Sequence, residues 1–504
     1  SPQGFQRVNI FGKLHTHLTE ADEIALSVSG FSSAWNASGQ IPQRAVDSNL
    51  IDRFGSLDDL EGGTTGRQDL NLRYTTVNGD QNFELISYAS RYTFKLFSNF
   101  TYFLEDPING DMIEQTDDRT LLGMNGRYSM NHSIGQVFAK ASLGGGFRSD
   151  DAVVTLWQSP NRLRSQSLVD ALVTERNLYL WAQEELIISP MVRMQLGLRG
   201  DYFTYNVDDR LEGVESDRPH ASGYSQQNII SPKVSLVVSP SESVDLFANF
   251  GTSFHSNDAR AIVQGRRVSD LYTVYLRQGL TESEIRDRFA SQNLDLRQNE
   301  IGTLPRAIGE EIGWRIKVGR RLNFATAIWL LDLENEYVYV GDAGITELSG
   351  KSRRYGVDIE ARSSLKPWLT ADADLNLSRG YFVDEPDNAN DIPLAPTVTS
   401  TGGLTAMHPD GFQAGFRYIH IGDRPANEDG SVTAEGFTLL NLFASHAFGH
   451  LRASVTLENI LNIDWNEAQF DTESRLQNEV SSVSELHFTP GNPRNIRLGL
   501  SYLF

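Results

Sequence analysis

Two clusters in the chain combine the residue types that hold a polar solute. Phe147, Arg148, Asp150, Asp151 and Trp157 form the first, and Phe254, His255, Asn257, Asp258 and Arg260 the second. Each sets aromatic faces beside charged groups, and the second adds an amide, the combination a binding pocket uses to enclose and orient a ligand. A purely structural role in folding the adjoining loops is the competing reading. A further set of charges recurs at alternate positions of otherwise apolar segments: Arg193, Arg199, Asp201, Arg315, Arg354, Asp358, Glu360, Arg362, Asp372 and Asp374. Alternation places such residues on one face of their strands, where they build a polar wall.

Other chemistry finds little support. His15 and His17 lie two apart on one strand face and supply at most half a metal site, so no metal is assigned. Acidic loop stretches such as Asp58-Asp59-Leu60-Glu61 are spaced too loosely for a calcium cage and read as solvated. There is no His-Glu-x-x-His and no phosphate-cradling loop, and Gly144-Gly145-Gly146 fits a strand end of small residues. Ser363-x-x-Lys366 matches a nucleophile motif by letters but falls at a strand-to-turn junction without its partner motifs. No catalytic residue, no enzyme activity and no cofactor are therefore expected.

The elements that position these residues are strands. In the last segment, Ile496, Leu498, Leu500, Tyr502 and Phe504 share one face while Arg497, Gly499 and Ser501 share the other. The same alternation runs through 192–199, 244–255, 312–318, 354–362, 369–377 and 451–458. Charged inner faces do not suit a dry sandwich core, and they do suit a polar lumen. Tight turns are expected at Thr19 to Asp22, Asn78-Gly79, Met130 to Ser133, Ser189-Pro190, Ser239 to Ser243, Gly319 to Arg321, Lys366-Pro367, His408 to Gly411 and Phe448 to His450. Between them lie long polar stretches at 36–65, 105–116, 148–174, 207–226, 256–305, 340–352, 382–394, 423–435 and 465–489. Short and long connections alternate, as in an up-and-down barrel with short turns on one side of a membrane and long loops on the other.

Composition agrees. The 504 residues are 39% hydrophobic, with mean hydropathy -0.34, and hold no run near the roughly 18 apolar residues of a membrane helix. A lipid face made of every second residue is diluted to such an average. A net charge of -21 argues against a nucleic-acid partner, and the absence of cysteine removes disulfides and thiolate sites.

Several segments together resemble the barrel of a TonB-dependent outer-membrane receptor. They are Gly39-Gln40-Ile41-Pro42, Glu61-Gly62-Gly63, Gly197-Leu198-Arg199-Gly200-Asp201, Ser231-Pro232-Lys233, the stretches 246–251, 254–260 and 355–360, Glu458-Asn459-Ile460-Leu461-Asn462, and the terminal Phe504. The resemblance implies an all-β, antiparallel transmembrane barrel of about 22 strands, of which roughly 19 are read here. Residues 1–504 are then the barrel domain, and an N-terminal plug, a TonB-binding box and an odd number of opening strands are expected ahead of Ser1. It further implies active uptake of a scarce solute, most readily a ferric siderophore or other metal chelate, energised by TonB. On this reading the two clusters touch ligand, the alternating charges touch the plug, and Tyr502 and Phe504 form the insertion signal read by the barrel-assembly machinery. The outer face meets lipid and lipopolysaccharide. A passive outer-membrane channel and a scaffold barrel within a larger complex share every strand pattern above and stay open at this point.

Overall fold

The computed structural model describes residues 3–211, 222–290, 304–340 and 345–503. The chain opens with a hairpin, β1 (Gln6–His17) and β2 (Asp22–Asn36). A short outer segment, β3 (Ile41–Pro42) and α1 (Gln43–Asp47), leads to β4 (Gly62–Asn78), β5 (Gln81–Ser98), β6 (Ile113–Ile134) and β7 (Val137–Gln158). Next come β8 (Gln166–Ser189), β9 (Val192–Asp209), β10 (Gly223–Ser241) and β11 (Val244–Phe254), then the helices α2 (Ala259–Arg277) and α3 (Glu282–Ala290). The meander resumes with β12 (Arg306–Val318), β13 (Leu322–Val340), β14 (Ile345–Lys366), β15 (Leu369–Phe382), β16 (Val398–Met407) and β17 (Phe412–Ile421). A two-residue ladder, β18 (Arg424–Pro425) and β19 (Thr433–Ala434), precedes β20 (Phe437–Phe448) and β21 (Leu451–Glu458). The hairpin β22 (Asn466–Ser474) and β23 (Val483–Pro490) then fills the last connection before β24 (Asn495–Tyr502).

Among the described residues nineteen strands form one antiparallel sheet in which each pairs with the next, while β3, β18, β19, β22 and β23 stand apart in the connections. Among the described residues β1 pairs only with β2 and β24 only with β21. Nineteen alternating strands leave these two edges running in the same direction.

Strand periodicity sorts the side chains into two faces. Leu143, Phe147, Leu178, Leu180 and Leu198 stand outward and bare, Leu180 being 70% exposed. Their sequence neighbours Gly144, Arg148, Tyr179 and Arg199 stand on the inner face. A contiguous apolar outer surface of this kind is made for lipid.

Short turns fall at 18–21, 79–80, 135–136, 190–191, 242–243, 319–321, 367–368, 408–411 and 449–450. One differs from expectation: the turn placed at Met130 to Ser133 lies at 135–136. Gly135 supplies the left-handed backbone there (φ 64°), and Met130 and His132 stay paired with Ala141 and Ala139. The stretch 148–174 is not a loop, because β7 and β8 pair up to Gln158 and Gln166. Their far ends bury Leu156, Val169 and Ala171 with Tyr205, an apolar contact that accompanies the ladder through this stretch. The stretch 256–305 holds α2 and α3, and 465–489 holds the β22–β23 hairpin. No helix among the described residues is long and apolar enough to cross a membrane.

Candidate functional site

The inner face of β5 to β9 builds a polar hollow row by row. Register sets Asp150 of β7 opposite Glu175 of β8, and Arg148 opposite Asn177. On the other side Glu175 faces Tyr205 of β9, and Tyr179 faces Asp201. Arg119 and Tyr88 flank this row, and residues 256–260 close it from the outer end, leaving a cavity of about 640 Å³. Two tyrosines lie flat on its wall because glycines sit beneath them. A Cβ on Gly123 would come within 2.3 Å of Tyr88, and one on Gly146 within 2.8 Å of the Tyr179 hydroxyl. The triple glycine at 144–146 is therefore a bed for Trp181, Leu180 and Tyr179, which face it across the ladder.

The guanidiniums of the cavity are paired along their own strands. Arg148 donates to Asp150 at 2.6 and 3.1 Å, Arg199 to Asp201 at 2.7 and 2.7 Å, and Arg119 to Asp117 at 3.3 and 2.7 Å. Residues two apart on a strand share a face, so the backbone itself presents each carboxylate to its arginine. Two-pronged pairs of this type are both strong and directional. Arg199 also lies over the Tyr179 ring, 4.1 Å from its centre.

The roof begins where β11 ends. Ser256 Oγ donates to Glu175 at 3.2 Å and lies 3.1 Å from the Tyr205 hydroxyl. Asp258 caps α2 by accepting the Arg260 backbone N–H at 2.8 Å, and it takes the Arg260 guanidinium at 3.0 and 2.9 Å. Burial works against ionisation of Asp258, but the adjacent Arg260 outweighs it and holds the carboxyl below its ordinary range. The helix is fixed by Ala259, Ile262 and Val263, a helical stripe buried with Phe203, Tyr205 and Ile229.

The two sequence clusters are brought together only in part. Arg148, Asp150, Asn257, Asp258 and Arg260 line the cavity, joined by Arg199 from the alternating set. Phe147 and Asp151 belong to the opposite, outward face of β7, one residue off in register from Arg148 and Asp150. Trp157 shares that face near the end of β7, with the Arg164 guanidinium 4.8 Å over its ring. Phe254 packs edge-on to Phe203 at 5.6 Å, and His255 is exposed beside it.

The remaining alternating charges face the lumen elsewhere. Arg315, Asp358, Glu360 and Asp374 line a second hollow of about 400 Å³ on β11 to β16. Arg362 bridges Asp374 at 2.9 Å and Glu360 at 3.0 Å, and Asp372 accepts Arg417 at 2.6 Å. Arg354 donates to Ser352 at 3.1 Å, and Arg193 is exposed near the short-turn end of β9. Tyr502 stands outward on β24 with its ring 6.0 Å from His450, while Phe504 lies outside the described residues. His15 and His17 both reach Glu23, at 3.4 and 2.9 Å, and no cluster of three metal-binding side chains occurs among the described residues.

Tyr88, Arg119, Glu175, Asn177, Tyr179 and Phe203 also line the cavity without having been singled out in the sequence, and Ser256 enters it from the stretch 254–260. The legible signal was an acid and an arginine two apart, repeated at 117–119, 148–150, 199–201 and 258–260.

Comparison with known proteins bears on this geometry. A family model described as TonB dependent receptor-like, beta-barrel, matches residues 16–463. The fold is similar to that of the unliganded ferric citrate transporter FecA, with a TM-score of 0.74 at 15% identity over 99% of this chain and 70% of that one. The siderophore receptor PiuA from Acinetobacter baumannii gives 0.74 at 12% identity, covering all of this chain and 76% of its own. The ferric yersiniabactin uptake receptor FyuA from Yersinia pestis gives 0.70 at 11% identity, with 99% and 71% covered. Identities this low speak to the fold.

Proposed function

Because the chain belongs to the TonB-dependent receptor-like β-barrel family, we propose that it forms the wall of an outer-membrane receptor that actively takes up a scarce metal chelate, a ferric siderophore above all. The observation that carries this reading is the tyrosine-lined cavity beneath α2, sized for a small chelate and furnished with directional polar groups. Ligand enters past the long connections and rests against Tyr88, Tyr179, Asn177 and the paired arginines. The names of the similar structures, transporters and receptors of ferric chelates, point the same way.

In this reading a plug domain fills the lumen, and TonB, drawing on the proton gradient of the inner membrane, remodels it so that the ligand passes. The wall of β12 to β16, with Arg315, Arg354, Asp358, Glu360, Arg362, Asp372 and Asp374, supplies its contacts, as do Arg193, Arg199 and Asp201 on β9. Antiparallel closure between β1 and β24 takes an odd number of further strands, since these edges run the same way. The outward leucines meet lipid and lipopolysaccharide, and the β24 edge with Tyr502 serves the barrel-assembly machinery. No covalent chemistry is involved.

The test is uptake of radioactive iron by iron-starved cells with and without the receptor. Loss of uptake of at least one ferric chelate on deletion, restored by the wild-type receptor and reduced about tenfold or more with Arg148→Ala, is expected. A tenfold change corresponds to about 1.4 kcal/mol of binding. Deletion that leaves the uptake of every chelate unchanged refutes the reading.

A further inference from the structure

Around the cavity five carboxylates stand against four arginines once Asp117 and Asp201, which hold two of those arginines from outside the lining, are counted, and one carboxylate is left over. Four arginines, 119, 148, 199 and 260, each already grip a carboxylate two residues away. Their charge is thereby neutralised before any ligand arrives. A polyanion entering the cavity would have to compete with carboxylates that the backbone holds in place. Glu175 is a fifth carboxylate, and no lysine or arginine pairs with it among the described residues. Its hydrogen-bond partner is the Ser256 hydroxyl, and across the ladder it faces Asp150 on one side and Tyr205 on the other.

Like charges directly opposite on neighbouring strands repel. A carboxylate drawn partly out of water also carries a cost that one hydroxyl does not offset. A cation placed between Glu175 and the Tyr88 ring relieves both, and that ring presents the aromatic surface that ammonium and guanidinium groups favour, whereas the Tyr179 ring already carries the Arg199 guanidinium.

Building on the uptake reading, we propose that Glu175 receives a cationic group, an ammonium or a guanidinium, on the transported chelate. The receptor then selects chelates that are zwitterionic or positively charged and disfavours polyanionic ones. Asn177 and the hydroxyls of Tyr88 and Tyr179 serve the neutral oxygens of the same ligand.

The experiment uses the full-length receptor purified from the outer membrane and three ferric probes: a linear trihydroxamate bearing one primary ammonium, its N-acetylated counterpart, and ferric citrate. The ammonium form is expected to bind about tenfold tighter than the acetylated form, with ferric citrate weakest. In Glu175→Gln the two trihydroxamates should converge to within about twofold, the ammonium form losing the affinity. Comparison of the probes on the wild-type receptor needs no variant, so misfolding of Glu175→Gln does not blunt it. Equal binding of the two trihydroxamates, or ferric citrate binding tightest, overturns the assignment and leaves chelate uptake standing. A variant that alters basal permeability while keeping the wild-type ratio of the two trihydroxamates also overturns it, and places a basic side chain of the plug against Glu175. Absence of binding by all three probes, together with iron uptake that does not depend on the receptor, removes the uptake reading as well.

Discussion

His487 has no exposed surface, yet it lies beside an arginine. Arg44 of α1 donates to Glu479 at 2.8 and 2.9 Å, to Glu485 at 2.7 Å and to Ser474 Oγ at 3.0 Å, and Ser474 Oγ lies 2.9 Å from the His487 ring nitrogen. This cluster joins the first long connection to the β22–β23 hairpin, where β3 pairs with β23. Burial, with Arg44 adding to it, pushes the imidazole from its ordinary 6.5 down to about 4. The hydrogen bond from Arg44 holds Glu479 below its ordinary range as well. The packed form thus refuses a proton that the opened form accepts, so the stability is complete above pH 6.5 and is lost as pH falls toward 4. Glu479 acts in the same direction at the acid end. The loss across that window is about 3 kcal/mol at most for His487. Hydrogen exchange in 466–490, corrected for the intrinsic rate, should lose protection between pH 7 and pH 4.5, whereas the β7–β8 ladder should hold. Equal protection of the hairpin at both values would show that His487 does not titrate against the packing.

At the scale of elements, the cavity depends on glycines that let aromatic side chains lie along the sheet. A Cβ on Gly146 would meet the Met124 carbonyl oxygen at 2.3 Å and the Tyr179 hydroxyl at 2.8 Å. Gly146→Val should therefore lift Tyr179 off the wall, cost about 1–3 kcal/mol in the melting of the barrel, and weaken chelate binding. Unchanged affinity in a variant that melts lower would mean that Tyr179 is scaffolding and no ligand contact. The alternation of apolar and polar residues made the faces of most strands readable, including the inward set from Arg193 to Asp374, because a period of two is fixed by the pleat. It did not reveal how far a strand runs. Residues 148–174 look polar enough for a loop, yet Leu156, Val169 and Ala171 find an apolar partner in Tyr205, which only the folded sheet brings near. Without that contact nothing in the sequence marks Glu175, and Phe147 and Arg148 read as one cluster although they stand on opposite faces. α2 was legible in hindsight, from the cap at Asp258 and the stripe Ala259, Ile262, Val263, but its many polar residues hid it among loops.

For the whole molecule, the connections at the mouth are tied to one another. Arg162 donates to the Leu60 carbonyl, Tyr102 to that of Gln40, Asn427 to Asp471, and the Asp391 backbone N–H to the Glu428 carbonyl. The β3–β23 pairing links the connection after β2 with the one before β24, joining the flanks of the two edges that have no second strand partner among the described residues. A mouth held this way, over walls whose cavity arginines are each held by a carboxylate, suits the receptor proposed above, which binds its ligand tightly and releases it inward only when work is done on it. The most direct measurement is radioactive iron uptake through this receptor alone, in iron-starved cells with and without a protonophore. Binding of the chelate at the surface should persist while its entry into the periplasm ceases once the proton gradient is gone. Entry that continues at the same rate would make the barrel a passive channel and contradict energised uptake.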